Sequence, residues 1–303
     1  MNRSCGRLCY PIYAKARQQT YLLTEKWKIM NEKNFDFLKD NVKYLGFGEK
    51  QHAELQKNLA EGKGSFQLNF STEINKKKFE ASLQFRKSNN SDMYFLNNYR
   101  ATLERSNGEK LAQTFYLEKG KGITSKEAYN LLDGRSVFKE LQNKEGQAYK
   151  AWLQLDFSAK DKHENFEVKQ YHENYGYDLK EAVSKYPLNE LDGAEKQDAL
   201  MHSLQKGNVQ SVSVAGENGS EQKLFIEANP QFKSVNLYDD QLQRLSQEQR
   251  MALTERVGVN HPQQSAEQSQ DQLKEKKQDN KQAVPGASAE SPKKKASRKK
   301  ISA

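Results

Sequence analysis

The sequence predicts an α+β protein in which short helices pack on small antiparallel β-sheets. Three observations support this fold class: apolar and polar residues alternate strictly in several stretches, Asn-Gly turns separate pairs of these stretches, and short helical segments end at glycine. With 303 residues the chain is long enough to bury a sizeable core. Its content of 29% charged and 35% hydrophobic residues indicates that polar segments accompany the folded part.

The first predicted element is a helix over residues 49–61. Leu55 and Leu59 lie one helical turn apart, so that both side chains share one face. Gly62 follows directly and is suited to end the helix, because glycine adopts the left-handed conformation of a helix C-terminus without steric cost. We therefore expect an amphipathic helix that packs on the strands after it.

Those strands form the first predicted sheet. Residues 79–86 alternate between apolar and polar side chains, as a half-buried strand requires. Residues 93–104 and 110–118 flank Asn107 and Gly108, the strongest short signal for a β-hairpin. The pattern indicates an antiparallel sheet.

The rest of the folded part continues with similar elements. Thr124 and Glu127 have capping-box spacing and predict the start of a short helix that ends near Gly134. Further helices are predicted at 178–185, 194–206 and 240–255, and strands at 148–157, 165–172, around Val212, around Leu224 (after Asn218-Gly219), and around Val235.

These elements are spaced regularly along the chain. The glycines that end three helices, Gly62, Gly134 and Gly207, are 72 and 73 residues apart, and each has a leucine three residues earlier. The expected inward strand positions follow at the same distances: Phe79, Ala81 and Leu83; Ala151, Leu153 and Leu155; Leu224, Ile226 and Ala228. Two interpretations stay open here, a helix-and-hairpin module used three times or three unrelated units of a common kind.

We divide the chain into four parts. Residues 1–29 are a basic leader without expected structure, 30–122 an N-terminal α+β module, and 123–256 a C-terminal α+β region. Residues 257–303 are expected to be a disordered linker and basic tail, because they are polar and contain no aromatic residue. The leader is compatible with an organellar transit peptide, but we favour translation that starts at Met30.

The positive charge is concentrated at the two ends of the chain. Residues 1–30 carry a net charge of +5 and residues 291–303 carry +6, which leaves −2 for the remainder. The basic tail consists of Lys293, Lys294, Lys295, Arg298, Lys299 and Lys300. Such a cluster can neutralise phosphates without reading bases, so we expect non-specific DNA contact there. A terminus that only solubilises the protein is the alternative.

A second candidate for contact is one face of the strand at 148–157. Lys150 and Trp152 alternate there with inward-facing apolar residues, and Lys169 and Tyr171 alternate on the probable partner strand. On that strand Phe166 and Val168 are expected to point inward.

Two interpretations of this strand face are open. Paired strands would place Lys150, Trp152, Lys169 and Tyr171 in one aromatic and basic platform that could stack bases or partner side chains. Alternatively, Trp152 lies under a covering helix such as 178–186, as large aromatic residues usually do.

No catalytic, metal or cofactor motif stands out. Cys5 and Cys9 are the only cysteines and have no nearby histidine, which indicates a reducing compartment and gives a weak zinc signal. His163 and His172 are each followed by glutamate, a pattern that could serve acid–base chemistry or metal binding, but we favour hydrophilic strand ends, which have the same pattern. No apolar run approaches the length of a membrane span. We expect a cytoplasmic protein that is not an enzyme and has no cofactor.

Several strings resemble a known but uncharacterised family. They are 128–137 (AYNLLDGRSV), 151–157 (AWLQLDF), 174–179 (NYGYDL), 206–212 (KGNVQSV) and 225–233 (FIEANPQFK). They are similar to a domain family carried on conjugative transposons of Bacteroidetes, often encoded near topoisomerase genes. The resemblance covers about residues 125–240 and implies a bacterial cytosol and a mobile-element context, but no catalytic residue.

Together these observations give a functional expectation. The chain is expected to be a non-enzymatic accessory protein of a mobile element that assists DNA handling during excision or transfer. The tail would contact DNA, and the folded part would contact an unknown protein partner of the mobile-element machinery. The alternative is a protein-interaction module that makes no functional contact with nucleic acid.

Overall fold

The computed structural model describes residues 32–118, 121–143, 145–215 and 220–257. Within these ranges the chain forms six α-helices and three antiparallel sheets, so the predicted α+β class is confirmed. The described residues belong to one compact unit. The predicted leader and the basic tail lie outside the described residues.

The first sheet has four strands and follows two helices. Residues 32–44 are helical and form α1, which the sequence patterns did not predict. The other elements are α2 (His52–Ala60), β1 (Ser65–Ile74), β2 (Lys77–Lys87), β3 (Tyr94–Glu104) and β4 (Lys110–Tyr116). The strands pair in chain order. α2 confirms the helix predicted at 49–61, and the pairing of β3 with β4 confirms the hairpin at Asn107 and Gly108.

The middle sheet has three strands, and a capped helix precedes it. The elements are α3 (Ser125–Leu132), β5 (Val137–Gln142), β6 (Ala148–Lys160) and β7 (Phe166–His172). The capping box is confirmed, because Thr124 N–H donates to Glu127 Oε2 at 2.8 Å and Glu127 N–H donates to Thr124 Oγ1 at 3.4 Å. β5 was not predicted, although it completes the sheet with β6 at its centre.

The third sheet is also three-stranded and is surrounded by helices. The elements are α4 (Leu179–Ser184), α5 (Ala194–Gln205), β8 (Gln210–Ala215), β9 (Glu221–Asn229), β10 (Ser234–Tyr238) and α6 (Gln247–Glu255). The prediction of a helix over 240–255 is wrong in its first part. The Asp239 carboxylate accepts bonds from the N–H groups of Gln241 and Gln243 and forms a turn, and Ser246 then caps the helix.

The three sheets share the modular organisation that the glycine spacing suggested. Gly62, Gly134 and Gly207 follow α2, α3 and α5, with φ angles of 68°, 91° and 77°. All nine inward strand positions are buried, and they lie on the second strand of each sheet. Each module is a helix, a left-handed glycine and an antiparallel meander, and the first module has one additional strand.

Two hydrophobic cores lie on opposite faces of the middle sheet. Leu153 and Leu155 of β6 belong to the core that also contains the inward face of the first sheet. Trp152 of the same strand belongs to the second core, with α4, α5 and the third sheet. The cores therefore separate within the middle sheet, not at the expected boundary between residues 122 and 123.

Gly207 provides a test of how closely the modules pack. A Cβ atom at Gly207 would lie 2.7 Å from the carbonyl oxygen of Ser136 and 3.1 Å from Cβ of Asn130, whereas one at Gly62 would meet nothing within 4 Å. We expect Gly207→Ala to lower the free energy of unfolding by about 3 kcal/mol or more, since left-handed strain and overpacking add. Gly62→Ala, the matched control, should cost about 1–2 kcal/mol from strain alone. Chemical denaturation measures both values, and equal losses would contradict the close approach.

Candidate interaction surfaces

Trp152 lies inside the second core. Only 4% of its surface is exposed, and its ring lies 5.3 Å from that of Phe138 and 5.4 Å from that of Tyr177. Leu179 and Val183 of α4 are part of the same core, so the interpretation in which a helix covers this face is confirmed. The exposed platform is wrong for Trp152, because β6 is a central strand with both faces covered.

The other three residues of the expected platform do not form one surface. Lys169 forms an ion pair with Asp156 at 2.7 Å. Tyr171 is half-buried, and its hydroxyl donates to Gln154 at 3.3 Å. Lys150 is exposed beyond the edge of the second core. The residues share a strand face but differ in their surroundings, so the platform does not exist as predicted.

Val168 also differs from its expected position. It pairs with Leu155 and points to the same face, but 44% of its surface is exposed. β7 is an edge strand of the middle sheet, and the first core includes Phe166 at its start but not Val168. Phe166, at the start of the strand, is buried as expected.

The ion pair of Asp156 has a clear electrostatic signature. The Lys169 ammonium and the Ser158 hydroxyl and N–H bond to this carboxylate and lower its pKa from 3.8 to about 2. Both charged side chains remain accessible to water, so the pair positions Lys169 along the sheet and contributes little to stability at high salt. Lys169 is thus already paired with Asp156, and it would have to give up this contact to bind a phosphate.

Two adjoining grooves lie where the cover of the middle sheet ends. The larger has a volume of about 480 Å³ and includes Glu140 and Lys150 in its lining. The smaller, of about 280 Å³, is lined by Trp152 and Tyr177 among others. His172 and Glu173 line both. The sequence marked Lys150, Trp152 and Tyr171, but it did not show that they border grooves.

The two histidines of the repeated His-Glu pattern are not brought together. His172 ends β7, and its ring lies 5.3 Å from that of Tyr149. His163 lies in the turn before β7, where its N–H donates to the Asp161 carboxylate. Among the described residues, no group of three His, Cys, Asp or Glu side chains could hold a metal ion. Cys5 and Cys9 lie outside those residues.

The outward side of the first sheet is a second, larger surface. In β2 the residues at 79, 81, 83 and 85 are buried while Ser82, Gln84 and Arg86 are not, so one side faces the core and the other is open. We call this open side the outer face. The strand register arranges it in rows: Ser65, Arg86 and Phe95; Gln67, Gln84, Asn98 and Tyr116; Asn69, Ser82, Arg100 and Thr114.

These three rows combine exposed aromatic rings with positive charge. Phe95 is 43% and Tyr116 is 69% exposed, which is unusual for large aromatic residues. Arg86 and Arg100 are the only charged residues in the three rows. The Arg100 guanidinium donates to Thr114 at 3.2 Å, and a depression of about 330 Å³ has Arg100 and Glu80 in its lining, with Glu80 paired to Lys78 at 2.7 Å.

Sequence reasoning missed the outer face for a definable reason. The alternating pattern predicted that one side of each strand is polar, but not which residues of different strands are neighbours. The register between β2 and β3 shifts at Gln84 and Phe85, and this irregularity brings Phe95 opposite Arg86. The sequence signal that could have indicated this face is Phe95, an aromatic residue that lies two residues before Asn97 in a predicted strand.

Comparisons with known proteins give no assignment: no family model, no curated protein and no solved structure matches the chain. None of the helices in the described ranges has both the length and the apolar character needed to cross a membrane. The basic residues Lys293, Lys294, Lys295, Arg298, Lys299 and Lys300 lie outside the described residues.

The burial of Trp152 predicts a large loss on truncation. Trp152→Ala removes a side chain that contacts Phe138 and Tyr177, so we expect the free energy of unfolding to fall by about 3–5 kcal/mol. Tyr116→Ala, an exposed aromatic control on the outer face, should change it by less than about 0.5 kcal/mol. Chemical denaturation with both variants measures the difference. A small loss for Trp152→Ala would show that the ring is not a core residue.

The pair of Asp156 and Lys169 predicts a specific dependence on pH. A carboxylate whose pKa is lowered on folding stabilises the protein above its unfolded pKa, and this contribution disappears as the pH falls through the folded pKa. Lys169→Gln should therefore raise the pKa of Asp156 from about 2 towards 3.8 and destabilise the protein above pH 3.8 but not below about 2. Carboxyl NMR titration measures the pKa. Lys160→Gln, which disrupts the pair with Glu164, should leave Asp156 unchanged.

Proposed function

We propose that this protein is a non-enzymatic accessory protein that binds single-stranded nucleic acid through the outer face of its first sheet. The basic tail adds non-specific attraction to phosphates. Given the family resemblance, the nucleic acid is DNA that is being handled during excision or transfer of a mobile element. In this scheme the protein holds an unpaired strand and carries out no chemistry on it.

The observation that carries the proposal is the arrangement of Arg86, Phe95, Tyr116 and Arg100 on one open face. Unpaired bases stack on aromatic side chains without regard to sequence, and each stacked base contributes about 1–3 kcal/mol. The two arginines can contact the phosphates on either side of the stacked bases. Amide and hydroxyl groups fill the remaining positions and can donate to bases or sugars.

The shape of the outer face favours a single strand over a duplex. A sheet surface exposes its side chains over a broad area, and stacking on Phe95 and Tyr116 requires bases that are free of their partners. Successive rows along a strand are about 6.8 Å apart, so the three rows can accommodate only a few nucleotides. We therefore expect a short binding site with weak sequence preference.

The tail has a different role in this proposal. Residues 32–290 do not supply an excess of positive charge, so long-range attraction depends on the two basic ends, residues 1–30 with +5 and residues 291–303 with +6. This attraction acts on both single and double strands, somewhat more strongly on the double strand because of its higher charge density, and it decreases steeply with salt. The outer face would then provide the selectivity for unpaired strands.

A protein-interaction module without nucleic acid is the second candidate. The two grooves at Glu173 favour it, because they combine aromatic walls with carboxylates that repel phosphate. The two functions use different surfaces and are compatible in one protein. Variants distinguish them: changes on the outer face should affect nucleic-acid binding, and changes in the grooves should affect binding of a protein partner.

The test measures binding of a labelled single-stranded oligonucleotide and its duplex by fluorescence anisotropy. We expect the full-length protein to prefer the single strand and the double variant Phe95→Ala/Tyr116→Ala to weaken that binding by about tenfold or more. Tyr44→Ala is the matched control, since Tyr44 is 79% exposed on α1 and lies outside the outer face. Its affinity should equal that of the unmodified protein.

The charged residues are tested through the dependence on salt. Each lost phosphate contact reduces the slope of log affinity against log salt by about 0.7 for single strands, so Arg86→Gln/Arg100→Gln should reduce it by about 1.4. Replacing the six basic tail residues by glutamine should weaken single and double strands alike. If only the tail variant has an effect, the outer face is not a binding site. If no oligonucleotide binds, the proposal fails entirely.

A further inference from the structure

The smaller groove is lined by aromatic side chains at the edge of the second core. Phe138, Trp152, Tyr171 and Tyr177 line it, and the hydroxyls of the two tyrosines are already engaged. Tyr177 donates to the carbonyl oxygen of Ser234 at 3.0 Å, and Tyr171 donates to Gln154 at 3.3 Å. The rings therefore present carbon surface and π-electron density to the groove instead of hydrogen-bonding groups.

Acidic groups line the same groove. Glu173 and Asp178 contribute carboxylates, and Lys180 is the one lysine of the lining, which includes no arginine. The lining therefore has two carboxylates against one lysine ammonium group. The local field thus favours a positive ligand, in contrast to the outer face of the first sheet.

The neighbouring residues show how such a ligand can be held. The ring of Tyr171 lies 4.9 Å from that of Tyr175, and the Lys233 ammonium lies 4.8 Å from the centre of the Tyr175 ring. Cations at this distance from an aromatic face are attracted by its quadrupole, more strongly when water is excluded. The contact between Lys233 and Tyr175 is a cation–π interaction of this kind next to the groove.

We propose that the groove binds the guanidinium of an arginine side chain from an extended segment of a partner protein. The guanidinium would lie among the rings of Tyr171, Tyr177 and Phe138, with Glu173 and Asp178 as its charged partners. Arginine fits better than lysine, because its planar cation stacks on rings and bonds carboxylates with several donors. A volume of about 280 Å³ accommodates one long side chain.

The larger groove can hold the residues that flank the arginine. It adjoins the smaller one at His172 and Glu173, and its other lining groups include Glu140, Lys150 and Asn174. These polar side chains can bond the backbone of the residues that flank the arginine. Nucleic acid is excluded as the occupant by the carboxylates of Glu140, Glu173 and Asp178, which would repel its phosphates.

The test uses the full-length chain with Trp27→Phe, so that Trp152 is the single tryptophan. Its fluorescence is followed while the peptide acetyl-Gly-Ser-Arg-Ser-Gly-amide is added, with calorimetry to measure affinity. The matched peptide contains citrulline, which keeps the shape of arginine but not its charge. We expect the arginine peptide to shift the emission of Trp152 and to bind about tenfold or more tightly than the citrulline peptide.

Protein variants locate the site. Glu173→Gln and Asp178→Asn should each weaken the arginine peptide by about threefold to tenfold. Asparagine is as good a helix cap as aspartate, so Asp178→Asn keeps the bond from Glu181 N–H and the start of α4. Glu167→Gln, an exposed carboxylate on β7 outside the groove, is the control and should have no effect.

Three results would overturn the inference. The arginine peptide fails to bind at millimolar concentration, the citrulline peptide binds equally well, or the Glu173 and Asp178 variants bind unchanged. A fourth concerns the occupant: if glutamine at Lys293 to Lys300 increases the affinity for the peptide, the chain's own tail fills the groove and the partner assignment is wrong. None of these measurements involves nucleic acid, so they are independent of the outer face.

Discussion

Burial of both faces of β6 is the constraint on which the rest of this structure depends. Alternate side chains of a strand point to opposite faces, so Ala151, Leu153 and Leu155 enter one core while Trp152 enters the other. A strand in this position needs a partner layer on each side. The first sheet with α3 supplies one layer, and the third sheet with α4 and α5 supplies the other.

The joins between modules are held by polar contacts at a few buried positions. The Asn130 side-chain amide donates to the Lys206 carbonyl oxygen at 2.6 Å, which ties α3 to the turn that contains Gly207. The Gln113 side chain bonds the N–H and the carbonyl of Phe166, which ties β4 to the start of β7. These contacts satisfy backbone groups that burial would otherwise leave unpaired, and they fix the spacing at which the apolar layers meet.

This layered organisation leaves two kinds of surface open. The outer face of the first sheet has no layer above it in the described part of the chain, and three of its rows carry two arginines with the exposed rings of Phe95 and Tyr116. The grooves at Glu173 lie where the cover of the middle sheet ends, and they carry negative charge with buried rings. The two surfaces thus suit ligands of opposite charge, which is why we assign nucleic acid to one and an arginine to the other.

The sequence by itself determined the local features of this protein. Alternation predicted most strands, the Thr124–Glu127 spacing predicted a capped helix, and Gly62, Gly134 and Gly207 marked the ends of three helices. These features depend on neighbours within a few residues, so the chain encodes them directly. The concentration of positive charge at the two ends also follows directly from the sequence.

Only the tertiary structure decided which faces are covered. Trp152 among polar neighbours was compatible with an exposed platform or a buried contact, and the helices that cover it are more than 25 residues away in sequence. Val168 has the inward register but remains exposed, because the first core covers only the start of this edge strand, at Phe166. Phe95, Tyr116 and the two arginines form one surface through strand pairing. Burial and cross-strand proximity arise from contacts between distant segments, so no local pattern specifies them.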